Sequence, residues 1–263
     1  MIILSRNDVE KIIVGLTLAT LAVGSVVFFK TTAVICWLGF FKLFALREIR
    51  YNVGPKLNPE LGGRYYTSMA SLMISFSFIA SFMISHFLGY QWMIWIGANA
   101  YFTDGGGFIG GKIINSKLVK ELFPRMKLHI IDKEASKKKS WEASAIGFLF
   151  AFLACNLVFY RYLPILPNHQ VISRLHLFVV SLLASYIAVR SDLAESRVKR
   201  MAKLSDSIIV PKKGERGFWH VVDSALYKVM KTHGGFLDRI DSLVGVIFFY
   251  VLWFACLYFT MPK

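Results

Sequence analysis

The chain has 263 residues, 56% of them hydrophobic and 18% charged, with a formal net charge of +15. That apolar share exceeds the usual content of a soluble domain and points to a polytopic membrane protein. In such a protein the positive charge reflects Lys and Arg on cytoplasmic loops, so no nucleic-acid partner is expected.

Ile12 to Phe29 is apolar and long enough to cross a bilayer. No small-residue cleavage site follows, which predicts a retained span, not a signal peptide. Lys30 ends it, and Thr31 to Leu46 forms a second, shorter span. Arg47 to Arg64, with Pro55, Pro59 and Gly62-Gly63, reads as a loop. Tyr65 to Leu88 is a third span and, after Gly89, Gln91 to Phe102 a short fourth. Thr103 to Glu142 is a long polar connection. Ala143 to Tyr160 and Val171 to Val189 are the fifth and sixth spans. Arg190 to Asp241 is the second long polar connection, and Leu243 to Phe259 is the seventh span. The expectation is one all-α membrane domain over 1–263, a helical bundle of about seven spans. A half-inserted helix is expected near Phe218 to Met230. Cys36, Cys155 and Cys256 all lie in apolar runs and offer neither a disulfide framework nor a zinc spacing.

With the N-terminus inside, the loops at 42–64, 103–142 and 190–241 are cytoplasmic. Together with the N-terminal end they hold every Lys and Arg except Lys30, Arg161, Arg174 and Lys263, in keeping with the positive-inside rule. Both long connections then face one site.

The first connection opens on Asp104-Gly105-Gly106-Gly107. Such a run suits either a phosphate approached by backbone N–H groups or a flexible membrane-edge turn. It closes on Ser136-Lys137-Lys138-Lys139-Ser140-Trp141-Glu142, whose lysines suit either anionic lipid or a triphosphate. In the second connection, Asp192, Glu195 and Lys199 share a helical face, and Glu195–Lys199 reads as a surface ion pair. Asp206 follows. Then comes His233-Gly234-Gly235-Phe236-Leu237-Asp238-Arg239-Ile240-Asp241. Asp238 and Asp241, i and i+3 on a helix, suit either Mg2+ carrying a substrate phosphate or a first-turn acidic cap.

These segments resemble the phosphatidate cytidylyltransferase (CDP-diacylglycerol synthase) family. Its C-terminal signature runs Ser-x-x-Lys-Arg, Lys-Asp, then His-Gly-Gly-x-x-Asp-Arg-x-Asp. Ser196 to Arg200, Asp206 and His233 to Asp241 match it in order, and the Asp104 and Ser136 segments resemble two upstream family motifs. Ser191 replaces a usual Gly, Ser205 the usual Lys, Lys137 the usual Pro, and residues 212–231 are an insertion.

The resemblance implies CMP transfer from CTP to phosphatidic acid with Mg2+, at the cytoplasmic face of a bacterial inner membrane. A CTP-dependent lipid kinase and a transport protein are the competing readings, and a homodimer is open. The implied metal set is Asp206, Asp238, Asp241, Asp192 and Asp104. The implied phosphate and nucleotide contacts are Lys199, Arg200, Arg239, Ser196, His233, Gly234, Gly235, Lys138 and Lys139.

Overall fold

The computed structural model describes residues 6–57, 62–123, 128–158, 174–205, 207–211, 217–230 and 235–260. Its helices are α1 (Arg6–Glu48), α2 (Gly63–Met83), α3 (Tyr90–Ile114), α4 (Lys117–Leu122), α5 (Trp141–Leu153), α6 (Arg174–Met201), α7 (Phe218–Met230) and α8 (Leu237–Thr260). One antiparallel hairpin, β1 (Ile130–Asp132) with β2 (Ser136–Ser140), interrupts them. The protein is an all-α membrane helical bundle. Among the described residues, four segments are long and apolar enough to cross a membrane: Thr20–Lys56, Gly63–Leu88, Leu175–Met201 and Leu237–Phe259.

The first two expected spans meet where expected, at Lys30, whose φ of 52° and ψ of −132° are not helical, so α1 is two helices joined across a kink. The expected loop from Arg47 is helical instead. After α1 the chain winds on through a wide turn at Ile49–Val53 and a tight one at Gly54–Lys56. Glu48, Ile49, Asn52 and Val53 are buried there, and that burial keeps the turns wound in spite of Pro55.

The glycine run is neither a phosphate-cradling loop nor a turn, because it lies within α3. A Cβ on Gly106 would sit 2.8 Å from Phe150 Cβ and 2.9 Å from Gly147 Cα, and one on Gly110 2.9 Å from the Ala143 carbonyl. Reciprocally, a Cβ on Gly147 would lie 2.3 Å from the Thr103 carbonyl. The glycines therefore let α3 and α5 pack backbone against backbone, the small-residue contact of membrane helices. The expected fourth span and the start of the expected connection beyond it, as far as Ile114, are thus one helix.

The core between α3, α6 and α8 is aromatic. Trp92, Trp95 and Tyr250 are almost wholly buried. The Tyr250 hydroxyl accepts bonds from Trp95 Nε1 at 2.7 Å and Asn99 Nδ2 at 2.9 Å. α6 and α8 also approach closely. A Cβ on Gly245 would lie 2.7 Å from Ser191 Cβ, and the Ser191 hydroxyl donates to the Asp241 carbonyl. This accounts for Ser191 where the family has Gly: the room is provided by Gly245 on the facing helix.

Candidate active site

Three carboxylates from two helices meet at one end of the bundle. Asp192 and Glu195 lie on α6 and Asp241 on α8, and one oxygen of each lies within 4.8 Å of the others. Glu195 is not the surface ion pair the sequence suggests. Its side chain is 8% exposed, its Nζ partner on Lys199 is 2.7 Å away, and its Oε1 has no hydrogen-bond partner. A buried carboxylate oxygen left without a donor, beside two further carboxylates, is a set of hard oxygen ligands that fits Mg2+.

The hairpin brings a cation to the three acids. Lys139, on β2, pairs with Asp192, and its ammonium is also drawn by Asp104, Asp241 and Glu195. Burial holds that ammonium below its ordinary value, against the pull of Asp104 and Asp241, while Lys199 pushes it down further. Asp132 secures the hairpin. Its Oδ1 accepts the N–H groups of Glu134 and Ala135, each at 3.0 Å, closing the turn. Its Oδ2 meets Arg197 of α6 at 2.6 Å. The Ala135 N–H, then Arg197, hold this carboxyl below its usual value. At the other end of the hairpin, His129 meets Glu142 at 2.6 Å.

Asp238 has a different environment from Asp241. Lys199 pairs with its Oδ1. Its Oδ2 accepts Gly235 N at 2.6 Å and Ser207 N at 3.3 Å, and lies 3.1 Å from Ser207 Oγ, whose single proton it shares with Glu48. Lys199 thus bridges Glu195 and Asp238, and Asp238 folds the chain before α8 onto the segment after α6.

A second carboxylate, absent from the sequence reading, holds the same junction. Glu48, at the end of α1, accepts Phe236 N at 2.9 Å, Leu237 N at 2.8 Å and Ser207 Oγ at 2.9 Å. It satisfies the free N–H groups at the start of α8, a task usually done by a local cap. Asn52 adds bonds to the Ser207 and Ile208 carbonyls, both at 2.8 Å. This explains Gly235, because a Cβ there would lie 2.3 Å from Ser207 Oγ and 2.5 Å from either Glu48 oxygen. The only sequence signal was an acid followed four residues later by an amide, in a segment read as loop.

The other expected residues divide. Asp104 is exposed on α3, close enough to act on Lys139. Ser196 is buried in α6. Arg239 opens α8 near Tyr101. Arg200 is exposed and donates to the Leu204 carbonyl at 2.9 Å, capping α6. Lys203 is exposed and takes φ 55° at that helix end, where Leu204 N bonds the Lys199 carbonyl and Lys203 N that of Arg200, the left-handed closure described for helix C-termini. Asp206, His233, Gly234 and the side chain of Lys138 lie outside the described residues.

An acid cluster flanked by lysines thus stands at one end of a membrane helical bundle. A profile described as "Cytidylyltransferase family" matches residues 9–230, and the chain belongs to that family. It is similar to the phosphatidate cytidylyltransferase of Rickettsia felis, 26% identical over 258 residues, covering 93% of this chain and 92% of that protein. The phosphatidate cytidylyltransferase of Rickettsia typhi is 28% identical over 248 residues, covering 91% and 88%. That of Rickettsia conorii is 29% identical over 143 residues, covering 54% and 48%. No solved structure matches.

Proposed function

We propose that this chain transfers CMP from CTP to phosphatidic acid, giving CDP-diacylglycerol and pyrophosphate, at the cytoplasmic face of a bacterial inner membrane. The observation that carries this reading is the meeting of Asp192, Glu195 and Asp241 beside Lys139 and Lys199. The names of the relatives support the substrates, and the distribution of Lys and Arg supports the orientation.

The chemistry suits this donor set. A phosphatidic acid oxygen attacks the α-phosphorus of CTP. The bond to the oxygen bridging the α- and β-phosphorus breaks, and pyrophosphate leaves with that electron pair. No strong base is required, since the nucleophile is already an anion. The barrier lies in bringing two anions together, so fixed positive charge lowers it. Mg2+ would be held by Asp192, Glu195 and Asp241, where it supplies charge neutralisation to the phosphates. Lys139 stands at the same acids, paired with Asp192, and under this reading its ammonium meets a substrate phosphate oxygen. Lys199, tied to Glu195 and Asp238, bridges those two carboxylates and sets positive charge between them. Asp206, Asp104 and Arg239 are further contacts under this reading.

The test separates CMP transfer from phosphoryl transfer. Purified protein is given phosphatidic acid, Mg2+ and CTP labelled at either the α- or the γ-phosphorus. Label should enter lipid from the α position and leave as pyrophosphate from the γ position. Lipid labelled from the γ position would make the chain a lipid kinase instead.

A further inference from the structure

We propose that α7, which lies in the inserted segment, is an interfacial helix: it rests half of its apolar face on the bilayer surface and braces the Glu48 junction with the rest. The apolar arc of this helix is wider than the protein covers. Val222 and Leu226 pack on the buried cluster formed by Phe44, Ile49, Ala202 and Phe236. Phe218 is 73% exposed and Val221 66% exposed, and Ala225 and Lys228 continue the same stripe at i+7 and i+10. His220, Ser224 and Tyr227 make up the polar side.

Lipid is the occupant that the neighbouring surface indicates. Trp219 meets Phe44 at a ring distance of 6.4 Å, and Arg47 stacks over both Trp219 at 4.3 Å and Tyr51 at 5.0 Å. Phe40 and Leu43 near the end of α1, and Tyr51 in the wide turn after it, are exposed and belong to a segment able to cross the membrane. The uncovered half of α7 therefore continues an apolar, Trp- and Tyr-bearing surface, the composition found where spans leave the bilayer. In sequence the helix is flanked by Lys212, Lys213, Arg216 and Lys231 and carries Lys228, charges that favour an anionic lipid surface.

The covered half reaches the active site through short links. Arg47 grips Asp223 with two bonds, Nε at 3.2 Å and Nη2 at 2.6 Å. Arg47 adjoins Glu48, the carboxylate that holds Phe236 and Leu237. Phe44, beside Trp219, stacks on Phe236 at 4.8 Å. Seating α7 on the membrane thus steadies the end of α1 and, through it, the start of α8.

Two measurements test this. The first does not depend on the proposed reaction. Val221→Cys, in a Cys36→Ser, Cys256→Ser background, is labelled with a fluorophore in vesicles containing phosphatidylglycerol. Quenching by lipid-borne nitroxide with protection from aqueous iodide is expected. Free access of iodide, with no lipid quenching, would overturn the proposal. The second rests on the CMP-transfer reading and compares Asp223→Ala with the paired exchange Arg47→Asp, Asp223→Arg. Asp223→Ala should lower kcat about tenfold with little change in KM for CTP, the scale of losing a supporting contact behind a site. The exchange should restore most of it. Wild-type kcat in Asp223→Ala would remove the brace. If wild-type protein makes no CDP-diacylglycerol, the proposed function fails while the quenching result still stands.

Discussion

Leu237 donates its backbone N–H to Glu48 Oε2 at 2.8 Å, across 189 positions of the chain. One helix thereby finishes the start of another. The carboxylate that caps α8 belongs to α1, and the same group holds Ser207, which holds Asp238. Glu48→Ala strips the partner from two buried N–H groups, those of Phe236 and Leu237, and leaves the Ser207 hydroxyl only Asp238. It should cost about 3 kcal/mol, since each buried donor left unpaired costs about 1–3 kcal/mol. Glu48→Gln, with one acceptor retained, should lose less. Thermal unfolding in detergent reads both; a Glu48→Ala protein as stable as wild type would contradict the clamp.

Lys199 and Arg200 stand side by side in the signature but have different surroundings. Lys199 is buried between Glu195 and Asp238, whereas Arg200 is exposed on a helix-end carbonyl. Lys199→Met leaves two buried carboxylates facing each other and should lower turnover by about 100-fold or more. Arg200→Ala should stay within a few-fold of wild type. Equal losses in steady-state assays would mean that Arg200 also reaches the phosphates.

Lys139 carries a pH prediction. Its ammonium is held below the ordinary lysine value, chiefly by burial, so its proton is lost at a lower pH than that of a free lysine. The charged form is the penalised one in the folded protein, so the folding penalty fades as pH rises while the useful charge is lost. Turnover should therefore fall on the alkaline side. Lys139→Arg, which stays charged throughout, should move that fall to higher pH. An unchanged alkaline limb would take Lys139 out of the reaction.

The glycines give a paired prediction. Gly147→Ala forces a Cβ to 2.3 Å from one backbone oxygen and 2.9 Å from a backbone nitrogen, and overpacking of this kind costs about 1–3 kcal/mol. Gly105→Ala meets nothing within 4 Å and should add about 0.5–1 kcal/mol by stiffening the helix. If the run instead cradled phosphate, Gly105→Ala would lower activity with no loss of stability.

The all-α membrane character was legible because bilayer spans leave long apolar runs, and the break at Lys30 showed as a charge between two of them. A helix near Phe218 to Met230 was expected from its apolar and aromatic residues, and α7 lies there. The resemblance named Asp192, Asp241 and Lys139 together, and the fold brings their side chains to one place. Glu195 was misread because an acid four residues before a lysine looks the same in sequence whether it is solvated or buried. Glu48 and Asn52 were missed because their partners are backbone groups more than 150 positions away, and no local pattern encodes such a contact. The glycines of α3 were misread for a related reason. Close packing on Gly147 and exposure to a phosphate ask the same thing of a sequence.

The central claim is that Asp192, Glu195 and Asp241 together hold the metal on which CMP transfer depends. It is tested most directly by measuring CDP-diacylglycerol formation against Mg2+ concentration for wild type, Glu195→Gln and Asp241→Asn in one lipid mixture. Both variants should lose about 100-fold or more of their turnover and need more Mg2+ for what remains. Wild-type turnover and Mg2+ dependence in Glu195→Gln, or in Asp241→Asn, would contradict it.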